Sequence, residues 1–281
     1  MEEFELNENQ GEQPSSQEPE ELLLVETSEN SKRAKQGFIG STAHVFMLVF
    51  GLVFLSCTLV FQILLTPIQV VGQSMQPTIN ISVKNNTNED HCDIVYYNKD
   101  KSYQHGDVVI VSNLEKQYIN DNKVDYVIKR VIACPGDSIT FFLTDVKYEA
   151  LPYGLYGNVY YYDFIVKDAN GNVKTIDDSF LEEQMHFDIY EYQAYKDTYP
   201  TFAQIFSKLF NDDLELEDRK ETITIEENQY FVMGDNRNNS DDSRFFGPVK
   251  YSDISGEMKL HVPYGTNLWS AVFKKIFSLF N

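Results

Sequence analysis

Tyr126-Val127-Ile128-Lys129-Arg130-Val131-Ile132-Ala133-Cys134-Pro135-Gly136-Asp137 is the stretch whose reading decides the fold. Its β-branched residues favour an extended chain over a helix, and Pro135-Gly136-Asp137 supplies the turn that ends it. Strand alternation puts Lys129 on one face with Val127, Val131 and Ala133, and Arg130 on the other with Ile128 and Ile132. One of the two cations must then face an apolar layer or the rim of a site. If it is Lys129, desolvation lowers its pKa and gives a neutral amine able to take a proton. A lysine at a strand edge reaching water is the plain alternative, and periodicity alone leaves both open.

Working outward, Asp107-Val108-Val109-Ile110-Val111 is a second β-branched run. Tyr160 to Lys167, then Asp168-Ala169-Asn170-Gly171-Asn172, then Val173 to Ile176 spells a hairpin, with Asn170-Gly171 suited to positive φ. The 20 Phe and 18 Tyr point the same way, towards a mainly β protein. One helix is expected among the strands, from Pro200 through Phe202, Ile205, Phe206 and Leu209 to Asn211.

Ala43 to Leu65 has no acidic or basic residue besides His44 and is long enough, at about 1.5 Å per residue, to cross a hydrocarbon core of about 30 Å. Leu64-Leu65-Thr66-Pro67 is no cleavage site, so the segment reads as a retained anchor. Lys32, Arg33 and Lys35 precede it and no basic residue follows until Lys84, which places the amino terminus in the cytoplasm and the rest of the chain outside. Residues 1–41 are Glu-rich with a Gln/Ser/Pro stretch from Gln10 to Pro19 and are expected to be a disordered acidic tail. The patch Leu22 to Val25 is either a short docking motif or an incidental apolar cluster.

The organisation predicted is therefore a tail, 1–41; an anchor, 42–66; a β domain, 67–266, with an acidic, Tyr-rich inserted β subdomain at 145–222; and an amphipathic helix, 267–281. That helix carries Leu268, Trp269, Val272, Phe273, Ile276, Phe277 and Phe280 opposite Lys274, Lys275 and Ser278 and is too short to span. It either lies in a bilayer interface or covers its own domain.

With 23 Lys+Arg against 43 Asp+Glu, the formal charge is −20, which offers no basic face to a phosphate backbone and excludes nucleic acid as a partner. Three cysteines and five scattered histidines make neither a disulfide framework nor a zinc cage, so no metal is expected. A Cys92–Cys134 bridge stays open. Two polar segments remain. Val71-Gly72-Gln73-Ser74-Met75-Gln76-Pro77-Thr78 holds a serine that becomes a nucleophile only if something takes its proton, and no histidine is placed to do so. Gly234-Asp235-Asn236-Arg237-Asn238-Asn239-Ser240-Asp241-Asp242-Ser243-Arg244 is either a solvated turn or a loop that orients a catalytic group through hydrogen bonds and ion pairs.

Taken in order, four blocks resemble the bacterial type I signal peptidases (leader peptidases): Gly72-x-Ser74-Met75-x-Pro77-Thr78; Gly106-Asp107-Val108-Val109; Tyr126-x-Ile128-Lys129-Arg130-Val131 with Pro135-Gly136-Asp137; and Gly234-Asp235-Asn236-Arg237 through Ser240, Asp242, Ser243-Arg244 and Gly247. The resemblance implies a membrane-anchored serine endopeptidase with a Ser/Lys dyad and no cofactor, which removes signal peptides, cut after small residues such as Ala-x-Ala, from exported preproteins at the outer face of the bacterial plasma membrane. Ser74 would be the nucleophile, Lys129 the general base and Ser240 the hydroxyl that orients the lysine. Arg130, Asp235, Asp242 and Arg244 would form structural ion pairs.

The Ser74 backbone N–H would meet the oxyanion. Relatives with a serine where this chain has Gly72 use its hydroxyl as a second donor; here a main-chain amide or a water is left for that role. Ser74 lies nine residues beyond Leu65, a reach of at most about 30 Å, so the nucleophile stays near the bilayer. Ile68 to Gly72 and Asp125 to Val127 are expected to bind the substrate as an added strand. The chain departs from the family in the segment Ile79 to Cys92, with its polar run Lys84 to Asp90, and in Cys134. A self-cleaving repressor would need a DNA-binding domain in place of the anchor. A pilin-processing relative, an assembly chaperone and a non-enzymatic binding domain are the other rivals, and the presence of both Ser74 and Lys129 speaks against the last two.

Overall fold

A computed structural model describes residues 19–80, 91–112, 126–181 and 183–278. The chain divides into two units, residues 1–62 and 63–281. The first is a helix, α1 (Pro19–Leu64), whose stretch Thr42–Leu64 is long and apolar enough to cross a membrane. Helical backbone thus covers 19–41, where disorder was expected; residues 1–18 lie outside the described residues. Chain propagation accounts for the difference. Once the apolar stretch is helical, each upstream residue adds a hydrogen bond without a new nucleus, and the Glu, Leu, Lys, Arg and Ala residues there are good helix formers.

The second unit comprises β1 (Thr66–Gln69), β2 (Ile94–Asn98), β3 (Val108–Ser112), β4 (Tyr126–Ala133), β5 (Ser138–Ala150), β6 (Tyr156–Lys167), β7 (Val173–Lys174), β8 (His186–Asp188), α2 (Ile189–Tyr195), α3 (Pro200–Leu209), β9 (Lys220–Thr224), β10 (Gln229–Met233), α4 (Ser243–Phe246), β11 (Val249–Lys250), β12 (Ile254–Val262) and α5 (Leu268–Phe277). One antiparallel sheet has the order β1-β2-β12-β3-β4-β10-β11. The other runs β7-β6-β5-β9, with β8 also on β6.

The two sheets meet at the turn after β4. Gly136 has φ +85°, and Asp137 accepts the Cys134 N–H at 2.7 Å, which reverses the chain into β5. Ile132 and Ala133 of β4 and Phe231 and Met233 of β10 share one apolar core with Phe141, Tyr162, Phe202 and Phe206. The bounds expected for an inserted subdomain, 145 and 222, fall inside β5 and β9, and this shared core is the reason no break occurs there.

The hairpin forms as the sequence predicts: β6 pairs β7, and Gly171 at φ +82° turns between them. In α3, Pro200 opens the helix and Phe202, Ile205, Phe206 and Leu209 are buried. Within the stretch expected to be a β subdomain, Ile189–Tyr195 forms the helix α2. Asp188 accepts the Tyr190 and Glu191 N–H groups while Glu191 accepts that of Asp188, a reciprocal cap that outweighs the β preference of the tyrosines. Cys92 and Cys134 are not joined by a disulfide.

Candidate active site

Ser74 sits in a tight turn just after β1. Gln76 N–H donates to Gln73 O at 3.0 Å, and Ile79 N–H to Met75 O at 2.9 Å. Met75 and Ile79 are buried against Val70, Val95, Val108 and Ile128, so apolar packing plugs the turn into the first sheet. Gly72 has φ +101°, a conformation that penalises any side chain.

Sequence reasoning missed the residue that fixes this segment. Asn80 is fully buried: its Nδ2 donates to Val70 O and, at 3.0 Å, to Gly72 O, while its Oδ1 accepts Asp93 N–H at 2.7 Å. Asp93 in turn accepts the Asn80 N–H at 2.7 Å and the Tyr264 N–H at 2.8 Å, and its Oδ2 lies 2.7 Å from His261 Nε2. The available signal was a polar residue, able to take positive φ, between Ile79 and Ile81; Asn80 has φ +63°.

Lys129, opposite Val109 in the β3–β4 pairing, is 3% exposed, and its Nζ stands 2.9 Å from Ser74 Oγ. Burial brings its pKa down to about 8. Asp242, Asp241 and Asp235 pull it back up, and Arg244 opposes them.

The loop 234–244 builds the wall behind this pair. Arg130 holds Asp235 through two bonds of 2.7 and 2.6 Å and also donates to Gly106 O at 2.8 Å. Arg244 and Asp242, both without exposure, pair at 2.8 and 2.7 Å; Arg244 also donates to Tyr162 Oη at 2.7 Å and Arg237 O at 2.6 Å. Burial would raise the Asp242 carboxyl, but Arg244 more than offsets it and holds the group below the usual carboxylate range. Asn236 N–H donates to Ser74 O at 3.0 Å, fastening the loop to the serine's main chain.

Gly234 is a second residue that the sequence reading passed over as mere motif. A Cβ there would collide with Ser240 Oγ and with Ser74 O. Ser240 lines the same cleft as Ser74 and Lys129, yet its buried Oγ has no hydrogen-bond partner among the described residues, so the expected bond to Lys129 is not formed.

Gly72, Ser74, Lys129 and Ser240 therefore line one open cleft of about 260 Å³, whereas Arg130, Asp235, Asp242 and Arg244 do not line it and stand behind it. Its long sides are Ile68 to Gly72 and Tyr126 to Ile128. β10 pairs β4 only from Arg130 onward, so among the described residues that edge of β4 is unpaired at Tyr126–Ile128, beside the cleft. Asp125 and the polar run Lys84 to Asp90 lie outside the described residues. Among the described residues one trio, His105, Cys134 and Asp137, offers metal-type donor atoms within 4.8 Å of one another. Asp137 Oδ2 is already committed there, 2.6 Å from His105 Nε2 and accepting the Cys134 N–H, which makes the trio a turn clasp.

A serine hydroxyl in hydrogen-bond contact with a buried lysine on an antiparallel β unit is the kind of arrangement that nucleophilic hydrolases require, a hydroxyl beside a group able to take its proton. The comparisons narrow it: residues 41–263 match the family "Signal peptidase, peptidase S26", and the chain belongs to that family and is a serine peptidase. Signal peptidase I P of Bacillus subtilis subsp. natto is 29% identical over 83% of this chain and 92% of its own. Signal peptidase I of Aquifex aeolicus is 26% identical over 63% and 73%, and that of Buchnera aphidicola subsp. Baizongia pistaciae 25% over 74% and 71%.

Proposed function

We propose that the protein is a membrane-anchored endopeptidase that cleaves signal peptides from exported preproteins by a Ser74/Lys129 dyad, held by Thr42–Leu64 with its amino terminus cytoplasmic and its cleft on the outer side. The observation that carries this reading is the 2.9 Å contact between Ser74 Oγ and a lysine whose burial brings its pKa within reach of neutral.

The substrate chain adds as a strand between Ile68–Gly72 and the free edge at Tyr126–Ile128, its side chains alternating into the cleft. Ser74 Oγ attacks the scissile carbonyl as its proton passes to neutral Lys129, giving an oxyanion and an ammonium. The Ser74 backbone N–H faces the oxyanion as donor. Collapse expels the amine, which takes the proton from Lys129 and leaves an acyl-Ser74 ester. Water then attacks the ester with Lys129 as base, and the product carboxylate leaves. Ser240, whose hydroxyl has no hydrogen-bond partner among the described residues, is the group available to orient the lysine through the cycle; Arg130–Asp235 and Arg244–Asp242 hold the wall. No metal or cofactor enters any step.

The test is cleavage of a preprotein carrying an Ala-x-Ala site, in detergent or bilayers, by wild type, Ser74→Ala and Lys129→Ala at matched folded concentration. Loss of the cut in both variants is expected. Equal cutting by either variant refutes the dyad, and folded but inert wild type would favour the chaperone or binding-domain readings.

A further inference from the structure

The orientation of α5 is the reverse of what a helix covering its own domain needs. Such a helix turns its apolar stripe inward. Here the groove between α5 and β12 is lined from the helix side by Ser270, Ala271, Lys274, Lys275 and Ser278. The stripe Trp269, Phe273, Ile276 and Phe277 stands in the open at 41%, 56%, 43% and 66% exposure, and no residue of α5 is buried. The helix is nonetheless well started: Asn267 Oδ1 accepts the Ser270 N–H at 2.8 Å.

Charge identifies the occupant. The chain carries a formal −20, yet residues 258–281 contain no Asp or Glu and include Lys259, Lys274 and Lys275. Two copies meeting through the stripe would give Lys274 and Lys275 no acidic partner from the same segment. A bilayer with anionic headgroups does the opposite, taking aromatic and aliphatic side chains at the acyl boundary and pairing lysines with lipid phosphates.

We propose that α5 docks on an anionic phospholipid surface, Trp269, Phe273, Ile276 and Phe277 entering the interface and Lys274 and Lys275 meeting the headgroups. This rests on Thr42–Leu64 spanning the bilayer, and not on the dyad. The span tethers α5 to the membrane and raises its effective concentration there, so a weak amphipathic contact suffices.

Trp269 is the chain's one tryptophan and reports on α5 alone. The full chain is reconstituted in vesicles of phosphatidylcholine, or of phosphatidylcholine with phosphatidylglycerol, each with brominated acyl chains, and flotation confirms insertion in every arm. Strong quenching of Trp269 is expected in the anionic vesicles, falling towards the phosphatidylcholine value in Lys274→Glu/Lys275→Glu, while preprotein cleavage in detergent by that variant stays at the wild-type rate. Co-floating protein whose Trp269 is unquenched overturns the proposal, as does equal quenching in both lipids. Shielding of Trp269 from aqueous acrylamide that grows with protein density, without lipid quenching, overturns it in favour of a second copy of the chain.

Discussion

Lys129→Met separates a lysine kept for chemistry from one kept for structure. Lowering an amine from 10.5 to about 8 by burial means that the folded state resists protonating it. At about 1.36 kcal/mol per pH unit, this corresponds to roughly 3 kcal/mol of stability withheld from the wild type at pH 7. Methionine has a similar length and no charge to bury; it forfeits the contact with Ser74 Oγ, a loss of about 1 kcal/mol. The variant is therefore expected to be more stable than wild type by about 1–3 kcal/mol at pH 7 and to lose about 10²–10⁴-fold in cleavage rate. The sign with pH follows from proton counts. Between about 8 and 10.5 the unfolded lysine holds a proton that the folded one has released, so wild type gains stability as pH rises and the advantage of methionine shrinks across that window. Urea unfolding of both proteins in detergent, followed by tyrosine near-ultraviolet circular dichroism at pH 7, 8.5 and 10, measures it. A variant clearly less stable than wild type at pH 7, or an advantage that grows with pH, refutes the reasoning.

Cleavage by wild type, as kcat/KM, is expected to fall about tenfold per unit below an apparent pKa near 8, because only the neutral amine accepts the serine proton; a profile flat to pH 5 in the chemical step excludes Lys129 as base. Gly234→Ala, whose methyl meets Ser240 Oγ and Ser74 O, is expected to cost about 100-fold in rate by displacing the serine, with Asn236→Ala as the milder comparison; a rate within twofold of wild type shows that the loop yields. Arg244→Met leaves Asp242 charged and without its partner in a site closed to water, an expected loss of about 3–5 kcal/mol in denaturant unfolding, part of which returns in Arg244→Met/Asp242→Leu. Additive losses in that pair would mean the two side chains do not act together.

Local chemistry was legible and long-range closure was not. β4, the β6–β7 hairpin and α3 each announce themselves by a signal within a dozen residues: β-branching, Asn170-Gly171, Pro200 with a helical apolar stripe. The Asp188–Glu191 cap of α2 was also within reach, but it lies in a Tyr-rich stretch expected as a β subdomain. By contrast, Asn80 works through Val70, Gly72 and Asp93, and Arg237 through Asp178 at 2.6 Å, pairings that no periodicity contains. Gly234 belongs with these, because its lack of a side chain matters only once Ser74 and Ser240 have been folded against it.

The wall around Lys129 shows why carboxylates can stand so near a lysine that must lose its proton. Asp242 and Asp235 alone would fix the ammonium form. Each is met by its own guanidinium, Arg244 in one case and Arg130 in the other, so the field reaching Lys129 is that of two ion pairs and not of two anions. Burial then decides, and the amine comes down to about 8. An arginine suits this role better than a lysine would, since it stays charged when buried and grips a carboxylate at two points. Asp241, at the open side of the cleft, has no such partner among the described ion pairs and acts on Lys129 directly. The basicity of the lysine is thus set by burial against paired charge, with Asp241 adding a direct pull towards the ammonium form.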